Sequence, residues 1–553
     1  MSDELKHECG VALLAFHRPP ALPGFGLEQM SLLLEKQHNR GQDGAGLGVW
    51  QADAVPGIPY FKIFKSNGRN PLATVLENSH TASAEGDILL GHLRYGTFGN
   101  NNLEDCHPLL RESACRNRAL MLAGNFNLTN SRALLQKLTL AGHHLTSSSD
   151  TAILLHCIGH ELEKNPEQSI EELLRNAAKD WDGGFLICGV IGDGKAFALR
   201  DAAGIRPGFY YTGEAETVVA SERPPIQTAF GLTARQVHEI PPGSVLLIDN
   251  KTHTVTVKPC LPAVKIRQCV FERVYFSRGN DADVQQERLK MGKMLLEPVL
   301  NAVENDIDNT YFSYIPNTAN VSFLGLLEKG RFPRFGQLVV KDAKFRTFIA
   351  DLDVRKKLNM HIYDLVYGVI RPGQDNIVLL DDSIVRGNTI EKLLLPLLDR
   401  LSSRKIVIAS ASPPLCYPDC YGIDMASLEE LVAFRAAIAI LQNTGRQHII
   451  DSCYTAACAD LQKTDAEMRN QVKPIYDAIS FSELCVEIGR ILTPEGLQAR
   501  FEVVYQTLDN LRQCCPAHTG DWYFSGDYPT PGGNRVVNQA LVNYINGNHQ
   551  RAY

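Results

Sequence analysis

The sequence reads Ile377-Val378-Leu379-Leu380-Asp381-Asp382-Ser383-Ile384-Val385-Arg386-Gly387-Asn388-Thr389 where an apolar run delivers two adjacent carboxylates to a small polar turn. The Leu-rich segment 393–401 follows, so the pattern predicts a strand, a loop and a helix, with Asn388 and Glu391 spaced as a capping box. Such a loop turns backbone N–H groups towards an anion, and paired carboxylates suit Mg²⁺ or sugar hydroxyls. We therefore expect a phosphoribosyl-transfer site, the plainer alternative being an acidic surface turn.

Composition limits the kind of protein. The chain has 553 residues, a net charge of -7, and 44% hydrophobic and 21% charged residues. This length predicts at least two domains, and the lack of basic excess argues against a nucleic-acid partner. No apolar run is long enough for a membrane helix. The polar, acidic segment Met1 to Glu8 does not read as a secretory signal, so we expect a cytoplasmic protein.

The cysteines say little about the function of the protein. Fourteen are scattered along the chain, and most lie in apolar contexts, where buried reduced thiols are the default. The vicinal pair Cys514-Cys515 and the pair Cys416 and Cys420 are possible metal or redox sites. The sequence lacks two CxxC motifs, so a zinc ribbon is not expected.

The chain changes character near residues 259–265. Residues 9 to about 260 read as clusters of short strands interrupted by helix pairs, which predicts an α+β layered domain. From Cys269 onward strands and helices alternate, which predicts an α/β domain with a parallel sheet that includes Val339-Val340, 378–380 and 406–409. Residues 426–512 read as helix-rich, and the tail 520–534 as an ordered loop.

Cys9 precedes a strand-like run and alone reads best as a buried strand cysteine. Its meaning changes if Met1 to Glu8 is removed, because Cys9 then carries a thiol and a free α-amino group. An amine with a pKa of about 7.7–8.0 accepts the proton of a thiol with a pKa of about 8.5. One residue would then hold both nucleophile and base.

Three further motifs accompany Cys9. Arg94 follows an apolar strand and suits capture of an amino-acid carboxylate. Asn125 and the backbone N–H of Phe126 suit an oxyanion. Asp150 opens a predicted helix and suits a substrate ammonium. Taken singly, each has a structural alternative: a surface ion pair for Arg94, a turn residue for Asn125 and an N-cap for Asp150.

Together these motifs resemble the glutaminase domain of class II, or N-terminal-nucleophile, amidotransferases. The resemblance implies an αββα sandwich with Cys9 as nucleophile, Arg94 on the glutamine carboxylate and Asp150 on its ammonium. It also implies an oxyanion hole formed by Asn125 and the N–H of residue 126. The family usually reads Asn-Gly where this chain reads Asn125-Phe126, a change that matters if the backbone there needs a positive φ.

The stretch quoted first resembles the diphosphoribose-binding signature of type I phosphoribosyltransferases. The resemblance implies that Asp381 and Asp382 contact the ribose hydroxyls and Mg²⁺. The loop would then cradle the 5′-phosphate through Ser383, Val385, Arg386, Gly387, Asn388 and Thr389. Lys344, in a closing loop with Lys341, would screen the leaving pyrophosphate. The family often has a hydroxyl where this chain has Ala319 after Pro316-Asn317-Thr318.

The two halves together resemble the glutamine phosphoribosylpyrophosphate amidotransferases. The resemblance implies a propeptide at 1–8, a glutaminase domain at 9–260, a phosphoribosyltransferase domain at 265–430, and a helical C-terminal extension with an ordered tail at 431–553. It also implies glutamine-dependent amination of phosphoribosylpyrophosphate to 5-phosphoribosylamine, glutamate and pyrophosphate, the first committed step of de novo purine biosynthesis. A homotetramer inhibited by purine nucleotides is expected on the same ground.

Some members of that family carry an iron–sulfur cluster. Cys269 matches the first ligand, Cys420 is one residue off, and Tyr523 stands in place of another ligand. Such clusters normally take four thiolates, so we predict no cluster.

Two other functions stay open. One is a non-catalytic nucleotide-sensing regulator with the same fold, which Cys9 and the Asp381-Asp382 pair disfavour and Phe126 and Ala319 permit. The other is a different class II amidotransferase that aminates a sugar phosphate, which the phosphoribosyl loop disfavours.

Overall fold

The computed structural model describes residues 8–20, 22–96, 102–145, 147, 149–165, 167–341, 362–423 and 425–552. Its strands in chain order are β1 Gly10–Phe16, β2 Gly44–Trp50, β3 Phe61–Ser66, β4 Ile88–Arg94, β5 Leu109–Arg111, β6 Leu120–Leu128, β7 Gly183–Ile191, β8 Lys195–Arg200, β9 Phe209–Thr212, β10 Glu216–Ala220, β11 His238–Glu239, β12 Ser244–Asp249, β13 Thr254–Pro259, β14 Thr310–Tyr314, β15 Val339–Lys341, β16 Tyr363–Leu365, β17 Asn376–Asp381, β18 Lys405–Ser410 and β19 Arg500–Tyr505.

The α-helices follow, also in chain order. They are α1 Phe25–Glu35, α2 Pro71–Thr81, α3 Ser131–Leu140, α4 Asp150–Lys164, α5 Ile170–Ala177, α6 Arg223–Phe230, α7 Ala282–Met294, α8 Leu296–Ala302, α9 Asn320–Lys329, α10 Leu395–Asp399, α11 Val432–Asn443, α12 Gln447–Asp460, α13 Lys473–Asp477, α14 Phe481–Leu492, α15 Leu508–Cys514, α16 Trp522–Ser525 and α17 Pro531–Ile545. In the described part of the chain, none of the helices combines the length and apolar character that crossing a membrane requires.

The first half is two stacked sheets between two layers of helices. One sheet has the order β11-β9-β10-β1-β4-β2-β3 and the other β13-β12-β8-β7-β6-β5. Side chains alternate along β1: Val11 and Leu13 pack against the second sheet, and Leu14 packs on the side where α1 lies. Helix α4 covers the outer face of the second sheet through Leu154. Period-2 alternation with both faces buried makes β1 a central strand. The αββα sandwich is confirmed.

The second half is built on a parallel sheet with the order β14-β17-β18-β19. The predicted parallel-sheet α/β fold is confirmed. One predicted member is wrong, because β15, which contains Val339 and Val340, pairs antiparallel with β16 in a separate sheet. The segment 334–336 bonds to Phe312 and covers the outer edge of β14, so the chain turns away before Val339.

The C-terminal part is more than the helical extension expected for 431–553. Strand β19 pairs with β18 from Lys405 opposite Arg500 to Ser410 opposite Tyr505, so this part supplies an edge strand of the parallel sheet. The tail, expected as an ordered loop, contains the short helix α16 with Trp522 and Tyr523 fully buried. The domain boundaries themselves stay a proposal.

Candidate active site

Cys9 lies directly before β1, at the end of a central strand. Its Sγ accepts the backbone N–H of Tyr95 at 3.4 Å. Burial raises the pKa of the Cys9 thiol to about 11, although the positive charge of Arg94 acts in the opposite direction. The thiol is therefore protonated near neutral pH while residues 1–8 remain attached, and an activating group is needed before it can act as a nucleophile.

Arg94 ends β4, the strand beside β1, and is buried. Its Nη1 donates to the carbonyl of Asn102 at 3.2 Å. The surface-ion-pair alternative is therefore wrong for this residue. The structure places Arg94 next to Tyr95, whose backbone contacts the Cys9 sulfur.

Asn125 and Phe126 lie within β6 and pair with Leu186 and Phe185 of β7. Asn125 is therefore a buried strand residue rather than a turn residue. Phe126 is extended within the strand, so the positive φ that would disfavour a Phe is absent at this position. The Asn125 Nδ2 donates to the Glu8 carboxylate at 3.1 Å, which brings Asn125 next to Cys9.

Asp150 begins α4, but its side chain does not cap the helix. The cap is Ser149, whose Oγ accepts the N–H of Ala152. The Asp150 carboxylate instead accepts the N–H of Leu128 at 3.2 Å and the hydroxyl of Ser131 at 2.6 Å. Burial raises the pKa of Asp150. These bonds fix Asp150 against the end of the strand that carries Asn125.

Two histidines that the sequence did not single out contact the backbone of strand β6. His92 Nε2 lies 3.1 Å from the carbonyl oxygen of Gly124, and His107 Nδ1 accepts the N–H of Gly124 at 3.4 Å. The His107 ring stacks on Phe126 with centroids 5.6 Å apart. Burial lowers the pKa of His92 to about 3, so it is neutral. His92 lies two residues before Arg94. Its contact with Gly124 joins segments that are distant in sequence, so no local pattern indicates this role of His92.

The two acids of the second site lie at the carboxyl end of β17. The Asp381 carboxylate accepts the N–H of Asp382 at 2.9 Å, and Ser383 Oγ donates to Asp382 at 3.0 Å. Burial raises the pKa of Asp382 to about 6, while a hydrogen bond from the Thr318 hydroxyl and the charge of Arg288 oppose that rise. Thr318 thus brings a hydroxyl to the acids from the turn where Ala319 appeared to leave none.

The loop after these acids is fixed by its neighbours. The Val385 carbonyl accepts the N–H of Val432, and Arg386 pairs with Glu430 at 3.0 Å. Gly387 has φ 79, and a Cβ there would lie 2.2 Å from Leu492.

The predicted capping box is wrong. The Gly387 carbonyl accepts the N–H of Glu391, so helical bonding already begins at Gly387. Asn388 therefore lies inside the first turn, and Thr389 follows it. Their backbone N–H groups belong to the first turn, where N–H groups have no partner within the helix itself. Lys344 lies outside the described residues, whereas Lys341 ends β15, near both acids.

One cavity of about 680 Å³ joins the two halves. Its walls include Asp381, Asp382 and Arg386 from the second half and Asn39, Gln42 and Tyr95 from the first. Tyr275, from the junction between the halves, forms part of the same wall. Burial and the charges of Asp382 and Asp381 raise the pKa of Tyr275 well above its usual range. The two acids and Tyr95, whose backbone N–H contacts the Cys9 sulfur, thus line one space.

The residues aligned with the iron–sulfur ligands are buried, and their donor set does not fit a four-thiolate cluster. Tyr523 donates its hydroxyl to Asp419 at 2.8 Å. The other Asp419 oxygen accepts three backbone N–H groups, from residues 421, 422 and 423. Burial raises the pKa of Cys420 well above its usual range. The absence of a cluster stays a prediction.

A family model described as a glutamine amidotransferase domain matches residues 102–228. The amidophosphoribosyltransferase of Bacillus subtilis is 28% identical over 78% of this chain and 84% of its own length. Those of Escherichia coli and Pseudomonas aeruginosa are each 30% identical over 72% of this chain and 78% of their own lengths.

Solved structures share the fold. The glutamine phosphoribosylpyrophosphate amidotransferase of B. subtilis complexed with ADP and GMP superposes with a TM-score of 0.69 at 22% identity, covering 94% of this chain and 97% of that one. A structure described as the allosteric regulatory enzyme of purine biosynthesis gives a TM-score of 0.70 at 24% identity, covering 94% and 96%. Sequence identity over most of the length, with the same two-part fold, shows that this chain belongs to the amidophosphoribosyltransferase family.

Proposed function

We propose that this chain transfers the amide nitrogen of glutamine to C1 of phosphoribosylpyrophosphate, giving 5-phosphoribosylamine, glutamate and pyrophosphate as the first committed step of purine synthesis. The cavity between the Asp381-Asp382 pair and Tyr95 carries the proposal, because Tyr95, which lines it together with the acid pair suited to a sugar phosphate, donates its backbone N–H to the half-buried Cys9. Membership of an enzyme family favours catalysis over the alternative of a non-catalytic nucleotide-sensing regulator.

In the first site, Cys9 is the proposed nucleophile after hydrolysis of the Glu8–Cys9 bond, which adds water to give a carboxylate on Glu8 and an amine on Cys9. The amine takes the thiol proton, and the sulfur attacks the glutamine amide. Asn125 and the N–H of Phe126 stabilise the oxyanion. Ammonia leaves, and water then releases glutamate from the thioester.

The ends of the same strands supply the proposed glutamine contacts. The Arg94 guanidinium suits the α-carboxylate, since its planar fork matches two oxygens. Asp150 suits the α-ammonium. Arg94 is buried and Asp150 is half-buried, so neither side chain is freely exposed to solvent.

In the second site, Asp381 and Asp382 are proposed to bind the ribose hydroxyls, and Ser383, Val385, Arg386, Gly387, Asn388 and Thr389 to cradle the 5′-phosphate. Lys344 is proposed to screen the pyrophosphate. No cluster of three or more His, Cys, Asp or Glu side chains within the described residues is arranged for a metal. Mg²⁺ is, however, commonly held by one or two carboxylates and substrate phosphates, which the acid pair fits. A bound Mg²⁺ would neutralise the diphosphate charge.

We propose that ammonia crosses this cavity from the first site to the second. Ammonia has to stay unprotonated on the way, because ammonium cannot attack C1. Nucleotides are proposed as regulators because the B. subtilis relative was solved with ADP and GMP. A homotetramer is proposed from the same resemblance.

The test is pyrophosphate release from phosphoribosylpyrophosphate with glutamine or with ammonia as nitrogen donor. Cys9→Ala is expected to lose the glutamine-dependent reaction and to keep the ammonia-dependent one. Glutamine-dependent turnover by Cys9→Ala would remove Cys9 from the mechanism. Nucleotide binding without turnover by the wild-type chain would favour the regulator.

A further inference from the structure

The carboxylate of Glu8 lies in the interior although it belongs to the N-terminal segment. The residue is 1% exposed. Its Oε2 accepts Asn125 Nδ2 at 3.1 Å and Arg40 Nη1 at 3.2 Å. Its Oε1 pairs with Arg206 Nη1. A carboxylate one residue before the nucleophile is thus held by two guanidiniums and an amide.

The two arginines depend on Glu8 to different extents. Arg40 also pairs with Glu222 at 2.6 Å and with Glu272 at 2.8 Å. Arg206 is 1% exposed, and its Nε and Nη2 have no hydrogen-bond partner in the described part of the chain. Within this buried group, Glu8 forms the close ion pair with Arg206, and the charge of Glu272 acts on Arg206 from farther away. Losing one member of a buried ion pair leaves an uncompensated charge, which is strongly unfavourable.

We propose that Arg206, Arg40 and Asn125 form a carboxylate-binding pocket, and that Glu8 occupies it in the unprocessed chain and holds the glutaminase site inactive. The inference rests on the proposed function of Cys9 and Asn125. It adds a site and an occupant to that function, and it explains why the segment must leave before glutamine reacts.

The first consequence of occupancy concerns Asn125. An amide that donates to the Glu8 carboxylate is not available to an oxyanion formed at Cys9. Loss of one oxyanion donor typically slows acyl transfer by about 10²–10³-fold. The attached segment therefore withholds a donor as well as blocking the α-amine of Cys9.

The second consequence concerns charge. The group holds two guanidiniums, Arg40 and Arg206, and three carboxylates, Glu8, Glu222 and Glu272. When Glu8 leaves, two charges of each sign remain, and the cation of Arg206 keeps only the more distant charge of Glu272. The group then carries no net charge, whereas with Glu8 in place it carries one net negative charge.

The test follows the reaction of Cys9 with the diazoketone analogue of glutamine, 6-diazo-5-oxonorleucine. The thiol sulfur bonds to the diazo carbon, that carbon takes the thiol proton, and N₂ leaves. The full chain is made by cell-free translation and sampled over time. Intact-mass measurement then distinguishes chains that retain residues 1–8 from chains that lack them. It also distinguishes labelled chains from unlabelled ones. The processed chain, made with Cys9 first, is the reference.

Glu8→Ala is compared with Glu4→Ala, which removes the same charge from the same segment. The wild-type precursor is expected to label roughly tenfold or more slowly than the processed chain. The Glu8→Ala precursor should label roughly tenfold faster than the wild-type precursor, and Glu4→Ala should match the wild type. Glu8→Gln, which keeps the shape, should fall between them. Ammonia-dependent pyrophosphate release serves as the check on folding.

Equal labelling of the wild-type and Glu8→Ala precursors overturns the proposal. Detection of no precursor at the earliest time also overturns it, because a segment lost at once leaves no inactive state to maintain. If the processed chain is not labelled either, the proposed role of Cys9 fails, which is a distinct result.

Discussion

The backbone N–H of Tyr95 donates to the sulfur of Cys9 at 3.4 Å. Tyr95 also lines the cavity that contains Asp381 and Asp382. One residue thus contacts the proposed nucleophile of the first half and the space in front of the proposed phosphoribosyl site of the second. The two sites are therefore parts of one arrangement.

Tyr275 is expected to seal the passage between the sites. Tyr275→Ala removes a half-buried ring from the cavity wall, so ammonia should escape, and glutamate release should exceed pyrophosphate release. Tyr275→Phe keeps the ring and should keep the two products equal. The measurement counts both products in one reaction. Equal products from Tyr275→Ala would show that this side chain does not retain ammonia.

Gly387→Ala is expected to damage the phosphate loop. The position has φ 79, and the new Cβ would lie 2.2 Å from Leu492. The left-handed backbone alone costs an alanine about 1–2 kcal/mol, and the clash adds to it. Activity with either nitrogen donor should fall through a higher KM for phosphoribosylpyrophosphate.

The control for Gly387→Ala is Gly373→Ala. Gly373 has φ 69, and no atom lies within 4 Å of the Cβ that the substitution adds. It carries similar backbone strain without the clash and lies outside the loop. Comparable KM values for the two variants would indicate that strain, rather than loop geometry, causes the loss.

Asn125→Ala is expected to lower kcat with glutamine by about 10²–10³-fold, the usual effect of losing one oxyanion donor. The ammonia-dependent reaction should be unchanged, because it bypasses this step. Asn130→Ala is the control, since its amide donates to the Asp180 carbonyl at the surface. Equal losses with both nitrogen donors would assign Asn125 a structural role instead.

His92 is expected to make the chain sensitive to acid. Its pKa is about 3 in the folded chain and about 6.5 when unfolded. The unfolded chain therefore binds the proton first, and this group's stabilisation is lost as pH falls below about 6.5. The loss amounts to about 2 kcal/mol on going from about pH 7.5 to about pH 5.

His92→Gln removes the titrating group and keeps a side chain able to reach the Gly124 carbonyl. Denaturant unfolding at both pH values should show a smaller loss of unfolding free energy for the variant than for the wild type. Identical losses would mean that His92 is not the acid-sensitive group.

Local motifs in the sequence predicted the candidate site residues, and the roles of these residues stay a proposal. Cys9, Arg94 and Asp381 each lie at a strand end, and a strand followed by a polar turn is visible in a short window. The fold class followed from the change in strand and helix alternation near residue 260. The motif around Asn125 also singled out this residue. The alternative that Asn125 is a turn residue was wrong, because it lies within strand β6.

Contacts between segments that are distant in sequence could not be predicted from local patterns. Arg40 and Arg206 reach Glu8 from segments far along the chain, and nothing local marks a buried ion pair. The hydroxyl near the acids comes from Thr318 rather than the aligned Ala319, because turn geometry decides which side chain points inward. Strand β19 was missed since its pairing with β18 is set by tertiary packing rather than by period.

The most direct test of the account is an isotope competition. The wild-type chain receives amide-¹⁵N-glutamine, phosphoribosylpyrophosphate and a large excess of unlabelled ammonium, and the ¹⁵N content of trapped phosphoribosylamine is measured. We predict that the product retains the ¹⁵N of glutamine, because the nitrogen passes from Cys9 to the Asp381-Asp382 site within the chain. A product diluted to the isotope ratio of the solution would contradict the account.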